Sequence, residues 1–239
     1  MDKKKFTAII LSAGTGSRMK SNMPKQYMEL LGKPVIYYSI KAFEDSPVDE
    51  IVIVCSTDYI EYFRHSIIEK YGFKKVKAIV QGGKERYNSV YEGLKAANST
   101  DYVLIHDGAR PLVDNEIIVR SMHMVEKEKA CVAGMPVKDT IKVSDELGYS
   151  ANTPDRKSLW QIQTPQCFEY DLLAQSYDKL FSDMSYGKSV PAITDDAMIV
   201  EYGSDTKVKL IEGSYENIKV TTPEDMGIAE LFLKKRRKM

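Results

Sequence analysis

The chain reads as an α/β fold: a Rossmann-like, mostly parallel sheet flanked by helices, with one protruding β-arm. Short apolar runs, as expected of strands buried on both faces, recur at residues 7–12, 51–56, 76–80, 102–106 and 130–136. Helical patterns alternate with them at 35–44, 58–70, 85–97 and 115–129, the third carrying Val90, Leu94 and Ala97 at near-helical spacing. That alternation predicts a sheet covered by helices on both sides. Ligands of such sheets bind beyond the carboxyl ends of the strands, so the residues after Ser12, Val80 and His106 become the candidate site lining.

The alternation breaks after Pro136. "VKDTIKVSDELGYSANTPDRKSLWQIQTPQ" reads as short alternating strands with a turn at 146–148. Residues 137–160 are expected to form a β-hairpin arm of a single 1–239 domain. So polar an arm buries too little surface alone and is expected to pack on a partner subunit. Helices follow at 170–181 and 195–202, then a strand at 207–211. In "TTPEDMGIAELFLKKRRKM", Thr222 is the expected N-cap, Pro223 takes the first helical position, and Glu224 and Asp225 fill the first turn. The closing "KKRRK" reads as a solvated helix end, where cations are favoured.

Composition excludes several classes. With 34 basic against 34 acidic residues, the chain lacks the basic excess of a nucleic-acid binder. No apolar run approaches the ~18 residues that span a bilayer. The start, "MDKKKFTAIILSAG", reads as a first strand leading into a glycine loop, not as a signal peptide. Cys55, Cys131 and Cys167 are odd in number and widely spaced, which predicts buried thiols of a reduced, cytoplasmic protein without a zinc site or a disulfide framework.

The stretch "AIILSAGTGSRMKSNMPKQ" carries the first chemical signal. A dinucleotide fingerprint fits Gly14 and Gly16 but meets Met19 at the third glycine position, and the expected downstream acid is missing. A Walker P-loop needs G-K-[ST], which is absent. What fits is a looser glycine turn over a triphosphate. Gly14 and Gly16 admit backbone N–H groups to phosphate oxygens, Arg18 offers a forked donor, and Lys25, stiffened by Pro24, offers a point charge. The competing reading is a surface turn with solvated cations. "QGGKERYNSV" repeats the theme: Gly82 and Gly83 allow close approach, and Arg86 and Ser89 open a helix. "IHDGARP" puts Asp107 at a strand end beside Arg110, where an acid suits a divalent metal, a ribose hydroxyl or a structural ion pair. His106, alone in an apolar strand, reads as structural.

Taken in order, "LSAGTGSRM", "MPKQY", "GGKERYNSV", "HDGARP", "PVKDTIK", "DRKSLWQIQTPQ", "ITDDA" and "NIKVTTPEDM" resemble the 2-C-methyl-D-erythritol 4-phosphate cytidylyltransferases of non-mevalonate isoprenoid synthesis, across nearly the whole chain. The resemblance implies transfer of a cytidylyl group from CTP to a sugar-alcohol phosphate with Mg²⁺ and release of pyrophosphate. It implies a homodimer in which each β-arm helps to form the other subunit's site. It puts Ser12, Ala13, Gly14, Gly16, Arg18 and Lys25 on CTP, Gly82, Gly83, Arg86 and Ser89 around the cytidine, and Asp107 near ribose and metal. Arg156, Thr164 and Lys219 would face the acceptor phosphate, with Arg110 and Thr140 reaching across from the partner. Arg18, Lys25 and Lys219 are the expected catalytic cations. Lys84 and Ser12 depart from the usual pattern, which has an acid and an alanine there, and both positions are expected to act through backbone groups. Two alternatives stay open: a ribitol-5-phosphate cytidylyltransferase of teichoic acid synthesis, sharing all but the acceptor pocket, and a nucleotide-binding regulatory protein without catalysis.

Overall fold

The structure is a computed structural model that describes residues 3–14 and 23–236. Strand β1 (Phe6–Ser12) leads, through the short paired strands β2 (Glu29–Leu30) and β3 (Lys33–Pro34), into helix α1 (Val35–Glu44). Strand β4 (Glu50–Cys55) is followed by a helical run made of the 3₁₀ turn Thr57–Tyr59, α2 (Ile60–Tyr62) and a π-helical stretch, Phe63–Glu69. The sequence pattern predicts one regular helix there. Then come β5 (Val76–Gln81), α3 (Arg86–Ala96), β6 (Tyr102–Asp107), α4 (Asn115–Glu128) and β7 (Ala130–Pro136). The chain leaves the sheet for a small hairpin, β8 (Val143–Ser144) with β9 (Ser150–Asn152), and re-enters it as β10 (Trp160–Glu169). Helices α5 (Tyr170–Ser185) and α6 (Asp196–Gly203), strand β11 (Lys209–Glu212) and helix α7 (Pro223–Arg236) follow.

Seven strands form the main sheet in the order β11-β7-β10-β6-β1-β4-β5. Every pairing is parallel except those of β10, which runs antiparallel to both β6 and β7. Period-two alternation explains how both faces are buried. On β1 and β4, Ala8, Ile10, Ile51 and Ile53 face one way, toward Ile36 and Phe43 of α1, Phe63 and Ile67, and Ile117 and Val125 of α4. Ile9, Val52 and Val54 face the other way, toward Val90 and Leu94 of α3, Tyr177 and Leu180 of α5, and Ile199 of α6. A third, smaller cluster holds Ala229 and Leu233 of α7 against Leu30, Val35 and Leu112. Caps set the helix starts: the Asp114 carboxylate accepts from the Ile117 amide (2.9 Å), and that of Asp195 from Met198 (3.1 Å). At α7 the Asp225 carboxylate accepts from the Thr221 and Thr222 amides, both at 2.8 Å.

Two differences from the sequence reading bear on function. Helix α5 continues to Ser185, and the end of the stretch read only as short alternating strands forms, as Trp160–Glu169, the ten-residue central strand β10. The pattern hides β10 because it carries Gln161, Gln163, Gln166 and Pro165, and proline and polar side chains argue against a central strand. Its pairing with β7 shifts register between Ile162 and Gln166, and Pro165 falls in that irregularity.

The chain builds β4 and β5 on one side of β1 and then crosses to place β6 on the other. That reversal opens a crevice at the carboxyl ends of β1 and β6. Leu11 and Asp107 lie in register there, and the Gly108 amide donates to the Leu11 carbonyl at 2.8 Å. Gly108 is required at this crossing: a Cβ on it would stand 2.1 Å from Ile36 Cδ1 and 2.8 Å from the Leu11 carbonyl oxygen. Gly108→Ala should therefore destabilise the fold by about 1–3 kcal/mol, as overpacking does in a dense core. Urea unfolding checks this; a midpoint equal to that of the unsubstituted protein would show that the crossing can relax.

Candidate active site

Two clefts open at the crevice. One, of about 330 Å³, is lined by Ser12, Ala13 and Gly14 from the end of β1, by Lys25 and Gln26, and by Gly83, Lys84, Glu85 and Ser89 at the start of α3. The other, of about 310 Å³, is lined by Arg110, Gln163, Thr164, Gln166, Thr194 and Asp195. Arg86, Asp107 and Lys219 line both, so these three side chains form the wall between them.

The wall is an ion cluster centred on Asp107. Lys219 Nζ lies 2.8 Å from Asp107 Oδ2, with Arg110 Nε at 3.6 Å from the same oxygen and Arg86 Nε at 3.6 Å from Oδ1. Burial alone would raise the Asp107 carboxyl, but Lys219, Arg86 and Arg110 hold it far below the usual carboxylate range. Arg86 is gripped on its other side: Nη2 donates to Asp196 Oδ2 at 2.7 Å, and Tyr177 OH donates to Asp196 Oδ1 at 2.8 Å. Burial works against the Arg86 charge, and Asp196 and Asp107 more than restore it. Arg110 Nη1 donates to the Asn217 carbonyl at 2.8 Å, and Asn217 Nδ2 donates to the Thr164 carbonyl at 2.9 Å. The Val220 amide donates to the Ala109 carbonyl at 2.8 Å, which pins the segment carrying Lys219 beside the end of β6.

The glycine segment after β5 is shaped by its neighbours. The Gly82 amide donates to the Cys55 carbonyl (2.8 Å) and that of Gly83 to Ser89 Oγ (3.1 Å). With both N–H groups used internally, what this segment can offer a base is its carbonyl oxygens. A Cβ at Gly82 would meet Ala13 Cβ at 2.5 Å, so the two glycine segments touch only because Gly82 has no side chain.

The structure brings together Ser12, Ala13, Gly14, Lys25, Gly83, Arg86, Ser89, Asp107 and Lys219, with Gly82 packed directly behind Ala13. Gly16 and Arg18 lie outside the described residues. Thr164 lines the second cleft, but its hydroxyl is engaged inside the fold: it accepts from the Asp107 amide (3.1 Å) and pairs with His106 Nδ1 at 2.9 Å. Arg110, which the resemblance has reaching across from a partner subunit, is buried against Asp107 of its own chain, because an i,i+3 spacing at the end of β6 folds it back. Arg156 and Thr140 sit on the exposed 137–160 segment and line neither cleft; Arg156 Nη1 donates to the Lys138 carbonyl at 2.7 Å. Gln26, Asp196 and Asn217 carry no chemical signal of their own in the sequence, although "MPKQY", "ITDDA" and "NIKVTTPEDM" contain them. Among the described residues no three His, Cys, Asp or Glu side chains gather as a metal cage.

A phosphate-friendly cleft at the switch point of a mostly parallel sheet, sharing a cationic wall with a second cleft, defines an α/β nucleotidyltransferase. A model of the 2-C-methyl-D-erythritol 4-phosphate cytidylyltransferase family matches residues 6–235, and the chain belongs to that family. It is 52% identical over 229 residues to the enzyme of that name from Lachnospira eligens, covering 95% of this chain and 99% of the relative. Against the enzyme from Lachnoclostridium phytofermentans it is 50% identical, covering 98% of each. The crystal structure of 4-diphosphocytidyl-2C-methyl-D-erythritol synthase from Anaerococcus prevotii superposes with a TM-score of 0.83 at 34% identity, covering 97% of this chain and 96% of that one.

The buried histidine behind Asp107 gives a pH signature. Nδ1 faces the Thr164 hydroxyl and Nε2 the Arg110 carbonyl (3.2 Å), and burial pushes the His106 imidazolium from an ordinary 6.5 down to about 4. The folded state keeps His106 neutral while the unfolded chain takes up a proton below pH 6.5, so stability falls as the pH drops from 6.5 to about 4. The loss attributable to this group is about 3 kcal/mol. Asp107, also depressed, adds its own loss only as the pH falls through its ordinary 3.8. Unfolding free energies of wild type and His106→Gln, measured in chelator between the two values, should show the slope flattened in the variant. Equal slopes would mean that His106 is not held neutral.

Proposed function

We propose that this chain transfers the cytidylyl group of CTP to 2-C-methyl-D-erythritol 4-phosphate, giving 4-diphosphocytidyl-2-C-methyl-D-erythritol and pyrophosphate. The observation that carries it is the wall of Arg86, Asp107 and Lys219 shared by the two clefts. CTP belongs in the cleft with the glycine segments, and the acceptor phosphate in the cleft behind Asp107. An acceptor oxygen attacks the α-phosphorus in line with the departing pyrophosphate: one P–O bond forms and the α–β P–O bond breaks. A phosphate monoester is already largely dianionic at neutral pH, so no strong base is required. Asp107, held anionic by its three cations, is not a proton acceptor here; it orients Lys219 and Arg86.

The barrier is electrostatic, because two polyanions meet while charge builds on the α-phosphate. Of the charged side chains lining the nucleotide cleft, Lys25, Lys84, Arg86 and Lys219 are cationic against Glu85 and Asp107. Lys25, Lys219 and, from the sequence pattern, Arg18 are assigned to the α-phosphate and leaving group. The Asp107 carboxylate, which lines both clefts, suits Mg²⁺, which takes one or two carboxylates and completes its shell with phosphate oxygens and water. Asp107 would hold the ion, which would neutralise phosphate charge. Carbonyls of Gly82 and Gly83 favour the amino group of cytosine over the oxygen of uracil at the same ring position.

The 137–160 arm supports a homodimer. Leu147 (83% exposed) and Tyr149 (71%) cap the hairpin with apolar surface, and a hairpin this small gains little stability alone. Thr140 and Arg156, outside the clefts of their own chain, would then serve the partner's acceptor cleft. Free, buried cysteines fit the cytoplasm. No helix of the described residues is long and apolar enough to cross a membrane.

Pyrophosphate release with CTP and Mg²⁺ tests the reading, with methylerythritol 4-phosphate in one arm and ribitol 5-phosphate in the other. Strong preference for the first is expected; preference for the second would move the acceptor to teichoic acid chemistry, and silence in both would leave a binding protein. Lys25→Ala should lower kcat at least ~100-fold, the scale of a lost oxyanion donor. Activity within a few-fold of wild type would remove Lys25 from the α-phosphate. Arg156→Ala should raise KM for the acceptor, and a rise confined to CTP would contradict its placement.

A further inference from the structure

We propose that Gln26 is a positioning residue whose side-chain amide clasps the end of β1 to the Lys25 turn and so aims the Lys25 ammonium into the nucleotide cleft. The proposal rests on the CTP reading above. Gln26 is only 3% exposed, yet it is polar, lies next to Lys25 and lines the cleft. Its Nε2 donates to the Ser12 carbonyl at 2.8 Å and to the Gly14 carbonyl at 2.9 Å. Both amide hydrogens are thus spent on one bend of backbone. In a trans peptide the N–H lies opposite the C=O, so fixing the Ser12 carbonyl turns the Ala13 amide to the other side.

The turn is held from behind as well. The Tyr27 amide donates to the Pro24 carbonyl (2.9 Å) and that of Met28 to the Lys25 carbonyl (3.2 Å). Tyr27 OH pairs with Ser12 Oγ (3.1 Å) and donates to the Ser12 carbonyl (3.2 Å), while its ring stacks on Tyr59 with centroids 4.3 Å apart. Lys25 therefore sits between Pro24, with φ fixed near −58°, and two side chains that grip β1. Tyr27 supplies packing, and Gln26 sets the separation between Lys25 and the Ser12–Gly14 backbone. No other side chain of this reach can replace it. Glutamate would face two carbonyls with acceptors, methionine would leave both without a donor, and asparagine is one methylene short.

A double-mutant cycle on CTP affinity, read by calorimetry without acceptor, tests the clasp with Gln26→Met, Lys25→Ala and the pair, thermal midpoints being followed alongside. Gln26→Met should weaken CTP about tenfold, the scale of two lost hydrogen bonds to buried carbonyls. In the Lys25→Ala background the same change should cost no more than about twofold, since it acts through the lysine. Penalties that multiply, a Gln26→Met affinity within about twofold of wild type, or a Lys25→Ala that binds CTP normally would each overturn the proposal. Gln26→Glu keeps the shape while losing both donors and replaces the methionine variant if that chain unfolds. A wild type that binds CTP but releases no pyrophosphate sinks the functional reading alone; the clasp stands or falls on the affinities.

Discussion

The site is organised by one buried carboxylate. Asp107 ends β6 with its backbone in the sheet and its side chain among three cations. A buried charge without partners costs several kcal/mol, and removing one member of such a cluster strands the others. Arg110 is the side chain most exposed to that risk: it is nearly buried, and among the described residues its Nε has no hydrogen-bond partner beyond the 3.6 Å contact with Asp107. The ion cluster is thus a folding constraint first. In the reaction proposed it would also serve catalysis, because Arg86 and Lys219 face two clefts at once.

What keeps the cluster in place is the polar strand that the sequence pattern conceals. Gln163 of β10 donates to the Ser214 carbonyl at 2.7 Å and accepts from Asn217 Nδ2 at 3.3 Å, bracing the segment that leads to Lys219. Gln166, three residues on, accepts from the amides of Asp196 and Ala197 at 2.9 and 3.2 Å and donates to Asp195 at 3.1 Å. That braces the start of α6, whose Asp196 holds Arg86. Two glutamines of one antiparallel strand therefore set the positions of two cations supplied by opposite sides of the site. In a core this dense, these two glutamine amides are tolerable because both ends of each are paired.

This division explains what was legible in the sequence. The parallel strands announce themselves because burial on both faces leaves runs such as "AIIL" and "IVIVC" with little choice of composition. The glycines and Lys25, Arg86 and Asp107 are legible as candidates because phosphate chemistry needs those residue types in the loops after strands; Lys219 enters only through the family resemblance. The braces are not. Gln26, Gln163, Gln166, Asn217 and Asp196 look like surface residues in a linear reading, and their roles exist only once the fold supplies partners from distant segments. Arg110 is legible in part: the residues themselves offer an ion pair with Asp107, and three residues of separation at the end of a strand are enough to form it.

The three cations on Asp107 are not equivalent, and the difference fits the reaction proposed. Arg86 is fixed between two carboxylates, and Arg110 between a carboxylate and a backbone carbonyl. Lys219 has a side chain 37% exposed, against 28% for Arg86 and 11% for Arg110, and an ammonium on a flexible stem. It is the member of the cluster best able to exchange partners. When a polyphosphate fills the nucleotide cleft, Lys219 can trade part of its contact with Asp107 for phosphate oxygens, because the two guanidinium groups still compensate the carboxylate. A site with only one cation on Asp107 would have to choose between keeping the carboxylate paired and serving the substrate. Redundant pairing removes that choice, so the charge needed at the α-phosphate is in place before the substrate arrives.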